Sequence, residues 1–327
     1  MVIAPPASQT DDMADDARQT AFVTGADGFL GAELLKALVA RGHQVFALTP
    51  SAETAQHVRR SGATPVIGDL LTPGRWQDEA AADWVFHLPP AQAFPRLRRV
   101  ARKRASLTTR ARVLMDRNLL EAVSAGSTQR IVYVADIRLY GAVGTHPITE
   151  DEQPQSSVVR DWLLPTLDRV DGYVLAGVPI VTAFPGLTYG KRGWFRELVM
   201  DPILAGRRVL QFGTTGPLVS PIYVHDCVRA LMHLVERGER GGRYFLVNSE
   251  PARFNTFAAT FARIAARPLR IWRLPALTAR LVTGGHLEGY LQSDAAFSNI
   301  RLRGTGFRFE YPTLEHGLRQ IWESRDE

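Results

Sequence analysis

The chain has 327 residues and a mass of 36.2 kDa, with 45% hydrophobic and 22% charged residues. This composition excludes a disordered chain, a collagen and a disulfide-stapled miniprotein. The 39 Lys and Arg residues exceed the 33 Asp and Glu residues by six, which permits an acidic partner without requiring one.

The single cysteine, Cys227, cannot form an internal disulfide, so we expect a reducing, cytoplasmic location. Residues 1–19 contain four Asp residues and no apolar run, and we expect a disordered lead-in rather than a signal peptide. No apolar run approaches the roughly 20 residues that span a bilayer, so we expect no membrane partner.

From residue 20 onward, short apolar runs alternate with stretches of helical periodicity. The predicted strands cover residues 21–24, 44–48, 64–67, 84–88, 131–135 and 179–183. Helices are predicted between them, including residues 28–40 and the segment around 118–123. Continuous apolar strands separated by helices predict an α/β fold with a doubly wound parallel sheet covered on both faces.

Beyond residue 190 this rhythm loosens. Segments rich in Pro, Gly, Arg and Trp alternate with short helices predicted at residues 227–236 and 256–266. We therefore predict a main domain over residues 20–190. A smaller C-terminal lobe over residues 191–327 would cover the substrate and be interleaved with the core.

Residues 24–31, Thr-Gly-Ala-Asp-Gly-Phe-Leu-Gly, lie between the first strand and the first helix. Glycines at every third position allow a tight turn, close approach of a pyrophosphate and packing of the helix on the strand. The helix N-terminus offers free N–H groups to the phosphates. In this context the pattern predicts a dinucleotide-binding domain. The predicted contacts in the loop are Gly25, Asp27, Gly28, Phe29, Leu30 and Gly31.

The end of the second strand indicates which dinucleotide binds, because an acid there accepts from the 2′-hydroxyl of NAD and repels the 2′-phosphate of NADP. Here the strand is followed by Thr49 and Ser51, and the next carboxylate is Glu53. Arg59 and Arg60 come further along the next helix. NADP(H) is therefore favoured as the cofactor, with NAD(H) as the alternative.

A second nucleotide contact is predicted after the third strand. Asp69, followed by Leu70, could accept a hydrogen bond from the adenine amine. A plain turn at Asp69 is the alternative.

Together these features resemble the extended or atypical short-chain dehydrogenase/reductase family, from about residue 20 to the C-terminus. The motifs that carry the resemblance are residues 24–31, 68–70, 85–88, 118–122, 131–134, 139–141, 185–190 and 223–226, in the family's order. The resemblance implies a Rossmann fold. It also implies that Leu88, Pro89, Pro185, Leu187 and Thr188 border the cofactor, and that Asp226 caps a helix.

The catalytic residues of the family are absent from their expected positions. Relatives carry a Ser or Thr where this chain has Asp136. Further on, relatives carry a tyrosine acid followed by a lysine. Here the tyrosine position falls on Arg160 or Trp162, and the lysine position on Leu164 or Thr166.

Three explanations of the missing acid stay open. Asp136 could donate a proton if burial kept it protonated. The substrate could instead supply the acid, since a phenol beside an aromatic polyketide ketone would strengthen its hydrogen bond as charge develops. The chain would then resemble the angucyclinone ketoreductases of antibiotic pathways, such as the simocyclinone type. The third explanation is a cofactor-binding regulator without turnover.

Side chains expected near the cleft bear on the substrate. A bulky aromatic ligand is favoured by Trp162, Phe184, Trp194, Phe195 and Phe212, with core packing as the alternative. A nucleotide-sugar epimerase or dehydratase also stays open, because a diphosphate could bind Arg192, Arg196, Arg207 and Arg208.

Other chemistry has little support in the sequence. The eight basic residues within 96–112 predict a solvated helix face rather than a nucleic-acid surface, and Arg112 stands where the family has a structural asparagine. The histidines lack metal-ligand spacing; we expect His87 to pack at a strand end and His146 to lie in a loop. The sequence therefore predicts an NAD(P)H-dependent ketoreductase that acts on a bulky, aromatic small molecule.

Overall fold

A computed structural model describes residues 18–88, 98–124, 126–141, 143–212, 214–275 and 294–325. Side chains are described throughout these ranges except at residues 98–108, 158 and 212. Residues 1–17 of the predicted lead-in and the predicted cofactor contact Pro89 lie outside the described residues.

The centre of the described fold is a seven-stranded sheet in which every neighbouring pair of strands is parallel. Its strands are β1 (Thr20–Thr24), β2 (Gln44–Thr49), β3 (Thr64–Ile67), β4 (Trp84–His87), β5 (Arg130–Val134), β7 (Ile180–Pro185) and β12 (Arg243–Leu246). They lie in the order β12-β7-β5-β4-β1-β2-β3. The doubly wound α/β fold predicted from the sequence is therefore confirmed.

The strand order reverses between β1 and β4. The chain builds outward from β1 through β2 to β3, then returns to β4 on the other side and continues to β5 and β7. In a sheet of this kind, the crevice outside the carboxyl ends at the reversal is where ligands bind.

Helices cover both faces of the sheet. One face carries α1 (Phe29–Ala40), α2 (Ala52–Arg60) and α7 (Val224–Arg237), and the other carries α3 (Trp76–Glu79), α4 (Arg98–Ser124) and α5 (Val158–Leu175). Helix α1 buries Leu34, Leu35 and Leu38 against the sheet. Each such leucine contributes about 1.5–3 kcal/mol of burial free energy.

The remaining described elements form small sheets and short helices around a second core. The strands are β6 (Gly144–Ile148), β8 (Leu187–Tyr189), β9 (Arg208–Phe212), β10 (Leu218–Val219), β11 (Pro221–Tyr223), β13 (Ala252–Arg253), β14 (Arg270–Leu274) and β15 (Ala295–Phe297). The helices are α6 (Asp201–Leu204), α8 (Thr256–Ile264), α9 (Ile300–Gly304) and α10 (Leu314–Glu323), with a 3₁₀ turn at Ile137–Tyr140 and a π turn at Arg196–Met200. The second core is centred on Tyr189, Phe195, Phe257 and Phe261.

The two halves of the chain interleave. Helix α7 and strand β12 come from the second half but pack into the central sheet and its core. Conversely, β6 comes from the first half and pairs with β15 near the C-terminus. None of the helices that the structure describes has both the length and the apolar character to cross a membrane.

Candidate functional site

The glycine loop lies at the reversal of strand order, between β1 and α1. Gly25 has a φ of +65°, and a Cβ atom there would lie 2.6 Å from the carbonyl oxygen of Leu88. A Cβ atom on Gly31 would lie 2.2 Å from the carbonyl oxygen of Gly25. Gly28 differs, since its Cβ would meet only the Gly25 oxygen, at 3.2 Å. The first and third glycines are thus required by packing, whereas the second leaves open backbone that a ligand can approach.

The N-terminus of α1 is open to an anion. The helix begins at Phe29 behind Gly28, no side chain caps it, and its first turn contains no acidic residue. Asp27 is exposed, while the side chains of Phe29 and Leu30 pack against the second core. Free N–H groups and the positive end of the helix dipole therefore suit a pyrophosphate, so the loop fits a dinucleotide.

At the end of β2, the predicted hydroxyl groups of Thr49 and Ser51 both bond to Thr54. The Oγ1 atom of buried Thr49 bonds to the hydroxyl of Thr54, and Ser51 caps α2 by accepting from the Thr54 amide at 3.3 Å. Arg59 and Arg60 lie in the last turn of α2. At 1.5 Å per residue, that turn is about 12 Å from the helix start. These arginines therefore lend no support to a ribose contact.

At the end of β3, Asp69 forms a turn. Its Oδ1 atom accepts from the Leu71 amide at 2.9 Å, and the side chain is exposed. The carbonyl of buried Leu70 accepts from Asn118 of α4 at 2.8 Å. Asp69 therefore forms a turn, and its contact with the adenine stays a prediction.

The residues expected near the nicotinamide follow β7. Pro185 ends the strand, and a Cβ atom on Gly186 would lie 2.1 Å from the Ser220 carbonyl oxygen. Leu187 is buried, and the hydroxyl of Thr188 donates to the Gly186 carbonyl at 3.3 Å. This segment and Leu88, which is 3% exposed after β4, lie at the carboxyl ends of sheet strands.

Asp136 follows β5 and is tied to Arg138. The Arg138 Nε atom lies 2.9 and 3.0 Å from the two carboxylate oxygens, and the Arg138 amide donates to Oδ1 at 3.0 Å. A guanidinium bound in this way stabilises the ionised carboxylate. An ionised carboxylate cannot donate a proton, so the geometry does not support Asp136 as the acid.

The first turns of α5 contain no phenol and no ammonium group. The positions of the family's tyrosine and lysine hold Arg160 or Trp162 and Leu164 or Thr166. Among the described side chains, the lysines bond elsewhere: Lys36 to Glu33, and Lys191 to the Ser324 carbonyl.

A buried polar network lies directly below the glycine loop. Thr24, His87 and Tyr133 form one row across β1, β4 and β5, and all three are buried. The Nδ1 atom of His87 lies 2.7 Å from Thr24 Oγ1, and its Nε2 atom lies 2.8 Å from Asp116 Oδ1. Asp116, fully buried on α4, also accepts from Arg112 Nε at 2.7 Å and from the Tyr133 hydroxyl at 2.9 Å.

The charges in this network follow from burial and pairing. Burial lowers the pKa of His87 and outweighs the opposing bond to Asp116, so the imidazole is neutral. Burial alone would raise the pKa of Asp116, but the charge of Arg112 and the bonds from His87 and Tyr133 hold it below its usual value. The sequence prediction for His87, simple packing at a strand end, missed these bonds. The available signal was the pair of charged residues four apart, Arg112 and Asp116, on a helix predicted to cover the sheet.

Three of the aromatic side chains expected at the cleft, Phe184, Trp194 and Phe195, pack in the core. Phe184 and Phe195 are fully buried. Trp194 stacks on Phe254 with ring centroids 5.4 Å apart, and its indole N–H donates to the Thr188 carbonyl at 2.9 Å. Trp162 is half-buried, and the side chain of Phe212 lies outside the described part. Packing therefore accounts for Phe184, Trp194 and Phe195 without a ligand.

Three further residues show where the sequence predictions hold and fail. Asp226 is fully buried, but it accepts from the amides of Glu310 and Tyr311, at 3.0 and 2.7 Å, rather than capping its own helix. His146 lies exposed on β6, not in a loop. Burial raises the pKa of the Cys227 thiol to about 12, in keeping with the small buried residue expected. No cluster of three potential metal ligands occurs within the described ranges.

A doubly wound sheet with a glycine loop at its reversal point is the architecture of a dinucleotide-binding domain, and comparisons with known proteins show which family it resembles. Residues 21–160 match the model of the NAD dependent epimerase/dehydratase family. This match confirms the resemblance to the extended short-chain dehydrogenase/reductases inferred from the sequence. The chain is an NAD(P)-dependent oxidoreductase.

Individual relatives extend this picture. The 4-hydroxy-2-methyl-3-oxo-4-farnesyl-3,4-dihydroquinoline-1-oxide ketoreductase of Stigmatella aurantiaca is 28% identical over 275 residues, which are 79% of this chain and 77% of that protein. UDP-glucose 4-epimerase of Thermotoga maritima, solved with UDP-glucose, superposes with a TM-score of 0.77 at 16% identity, covering 94% and 98% of the two chains. The human epimerase family protein SDR39U1, solved with NADPH, gives 0.74 at 21% identity, covering 93% and 99%. At these identities the two structures establish the fold.

Proposed function

We propose that the chain uses NADPH to reduce a ketone on a bulky, aromatic small molecule of the polyketide type, in the manner of the angucyclinone ketoreductases. The observation that carries the proposal is an intact dinucleotide loop beside a site in which Asp136, paired with Arg138, stands at the family's Ser or Thr position and Arg160 or Trp162 stands at the position of its tyrosine acid. The chain thus keeps the loop that binds the dinucleotide but lacks the side chain that donates the proton in the family.

The cofactor would be held at the carboxyl edge of the sheet. The residues proposed to contact it are Gly25, Asp27, Gly28, Phe29, Leu30, Gly31, Thr49, Ser51, Asp69, Leu70, Leu88, Pro89, Pro185, Leu187 and Thr188. When bound, the nicotinamide supplies the hydride. The protein's task is then to orient the ketone and to exclude water.

The substrate would supply the proton. The Arg138 guanidinium bonds to both carboxylate oxygens of Asp136, which favours the ionised form, so a hydroxyl beside the ketone is proposed as the acid. As the carbonyl carbon gains a hydride, its oxygen gains charge and takes the proton of that hydroxyl, which solvent later replaces. The net reaction consumes one ketone, one NADPH and one proton, and yields an alcohol and NADP⁺.

The Stigmatella relative supports this substrate class. Its name describes a ketoreductase whose bicyclic substrate carries a 4-hydroxyl next to the 3-oxo group. The hydroxyl in that name stands beside the ketone, as in the proposal, but on the saturated carbon that also carries the farnesyl group, so it is an alcohol rather than a phenol.

NADP(H) is favoured over NAD(H) because no carboxylate ends β2. Glu53, in the first turn of α2, is exposed and is the nearest acid along the chain. Replacing Ser51 with Asp would place an acid at the usual ribose position, and we expect it to shift the ratio of affinities toward NADH.

The test is a comparison of substrates. An aromatic ketone with an adjacent hydroxyl should be reduced with stoichiometric loss of NADPH, whereas its methyl ether should react about 10²–10⁴-fold more slowly, since it has no proton to give. Asp136→Asn should keep most of kcat on the hydroxyl substrate. A loss of about 10³-fold in that variant, or equal rates on the two substrates, would show that a side chain is the acid.

The competing function is a nucleotide-sugar epimerase or dehydratase. Arg192, Arg196, Arg207 and Arg208 are all exposed and could hold a diphosphate. Such an enzyme would convert a nucleotide sugar without consuming NADPH. Binding of NADPH with no turnover of either substrate class would indicate a regulator instead.

A further inference from the structure

We propose that Asp116, acting through His87 and Thr24, is a positioning residue for the dinucleotide loop. The proposal concerns cofactor binding alone and does not depend on which substrate is reduced. Its basis is the chain of buried contacts that leads from α4 to the last residue of β1.

The first step is the tautomer of His87. An ionised carboxylate can only accept hydrogen bonds, so the 2.8 Å contact with Asp116 places the imidazole proton on Nε2. Because the ring is neutral, its Nδ1 atom is then an acceptor. The hydroxyl of Thr24 therefore donates to Nδ1, 2.7 Å away, and shares its proton with the Leu88 carbonyl oxygen, which lies farther from it at 3.2 Å.

The second step links this bond to the loop. Thr24 is followed by Gly25, and His87 is followed by Leu88, whose carbonyl oxygen packs against the position that a Gly25 Cβ would fill. The Thr24–His87 bond thus fixes the spacing of β1 and β4 at the point where Gly25 passes over Leu88. A small change of spacing there would displace the backbone that receives the pyrophosphate.

The third step explains the second charge. Arg112, only 7% exposed, neutralises Asp116 through the 2.7 Å bond to Oδ1, and its guanidinium lies 5.2 Å from the centre of the Tyr133 ring. A buried carboxylate without this partner would tend to take up a proton and lose its hold on the tautomer. Arg112 therefore keeps Asp116 an acceptor.

A matched pair of threonine variants tests the proposal. Thr24→Val removes one hydroxyl at nearly constant shape, and we expect the Kd for NADPH to rise about tenfold. Thr182→Val is the control, since Thr182 is buried in the same row on β7 but lies away from the loop. The Kd of the control should change by less than about twofold. Thr24→Ser should restore the wild-type Kd. An unchanged Kd in Thr24→Val would leave the network a purely structural role and overturn the proposal.

A double-mutant cycle tests the part played by Asp116. Asp116→Leu alone would leave the Arg112 charge unpaired, and an asparagine would keep an oxygen that accepts from Nε2, so the variant to use is the double Arg112→Leu/Asp116→Leu. It should weaken NADPH binding, and adding Thr24→Val to it should weaken binding by less than about twofold more. Fully additive effects would show that Asp116 does not act through Thr24.

Nitrogen NMR of the His87 ring measures its tautomer in the wild-type chain, so this test does not depend on the folding of a variant. In the wild-type chain, Nε2 should carry the proton and Nδ1 should be bare, both with and without NADPH. A proton on Nδ1 would reverse the direction of the Thr24 bond and contradict the proposal.

Discussion

The pKa of His87 differs between the folded and the unfolded chain, so the stability of the fold depends on pH. Burial lowers its pKa below the ordinary value of 6.5, so below that pH the unfolded chain binds more protons than the folded one. The stability that the neutral ring contributes is therefore complete above pH 6.5 and is lost as the pH falls toward the folded-state pKa. The slope is at most about 1.4 kcal/mol per pH unit.

Urea unfolding between about pH 7 and pH 5 measures this dependence, and the free energy of unfolding should fall with pH over that interval. His87→Gln should flatten the curve relative to wild type. His57→Gln, at an exposed site on α2, should leave the slope as it is. If the free energy of unfolding depended on pH equally in the wild type and in His87→Gln, the expectation would be wrong.

Single residues could be predicted where one residue type alone satisfies the geometry. Gly25 and Gly31 were identified because no side chain fits at either position. His87 and Asp116 were not connected, because their bond joins β4 to the middle of α4 and depends on how the two elements pack. The role of Asp69 stayed undecided, since a turn and an adenine contact need the same residue type.

At the scale of elements, α5 contains a glycine with no structural need. Gly172 is exposed in the helix, and nothing lies within 4 Å of where its Cβ would be. Gly172→Ala should raise the free energy of unfolding by about 0.5–1 kcal/mol, because alanine loses less backbone entropy in a helix. Thermal and urea unfolding both report this change.

The control lies just beyond the same helix. Gly177 has a φ of +102°, and a Cβ there would lie 2.9 Å from an Arg240 nitrogen. Gly177→Ala should therefore destabilise the fold. If both variants raised, or both lowered, the free energy of unfolding, the argument from helix propensity at Gly172 would be contradicted.

The strands of the central sheet were predictable because a parallel strand buried on both faces is apolar throughout. Strand β6 was missed for the opposite reason. It is half-exposed, contains His146 and Pro147, and pairs with β15 from the far end of the chain. A local sequence pattern contains no trace of such a partner.

For the whole molecule, the interleaving of the two halves predicts how the chain tolerates division. A fragment that ends at residue 190 lacks β12 and α7, and so exposes one edge of the sheet and the face that Leu231 and Leu234 cover. We expect this fragment to lack a cooperative unfolding transition, measured by circular dichroism and calorimetry. A fragment that unfolded cooperatively would show that residues 20–190 are an independent domain.

Strand β3 forms the opposite edge of the sheet, and its make-up bears on aggregation. It is four residues long, has β2 as its only neighbour among the strands that the structure describes, and contains Pro65. An incoming chain would find few backbone groups to bond, and none on the proline nitrogen. The β3 edge is therefore a poor template for fibril growth. We expect the folded protein to resist strand addition at this edge, even in concentrated solution and without a partner that covers it.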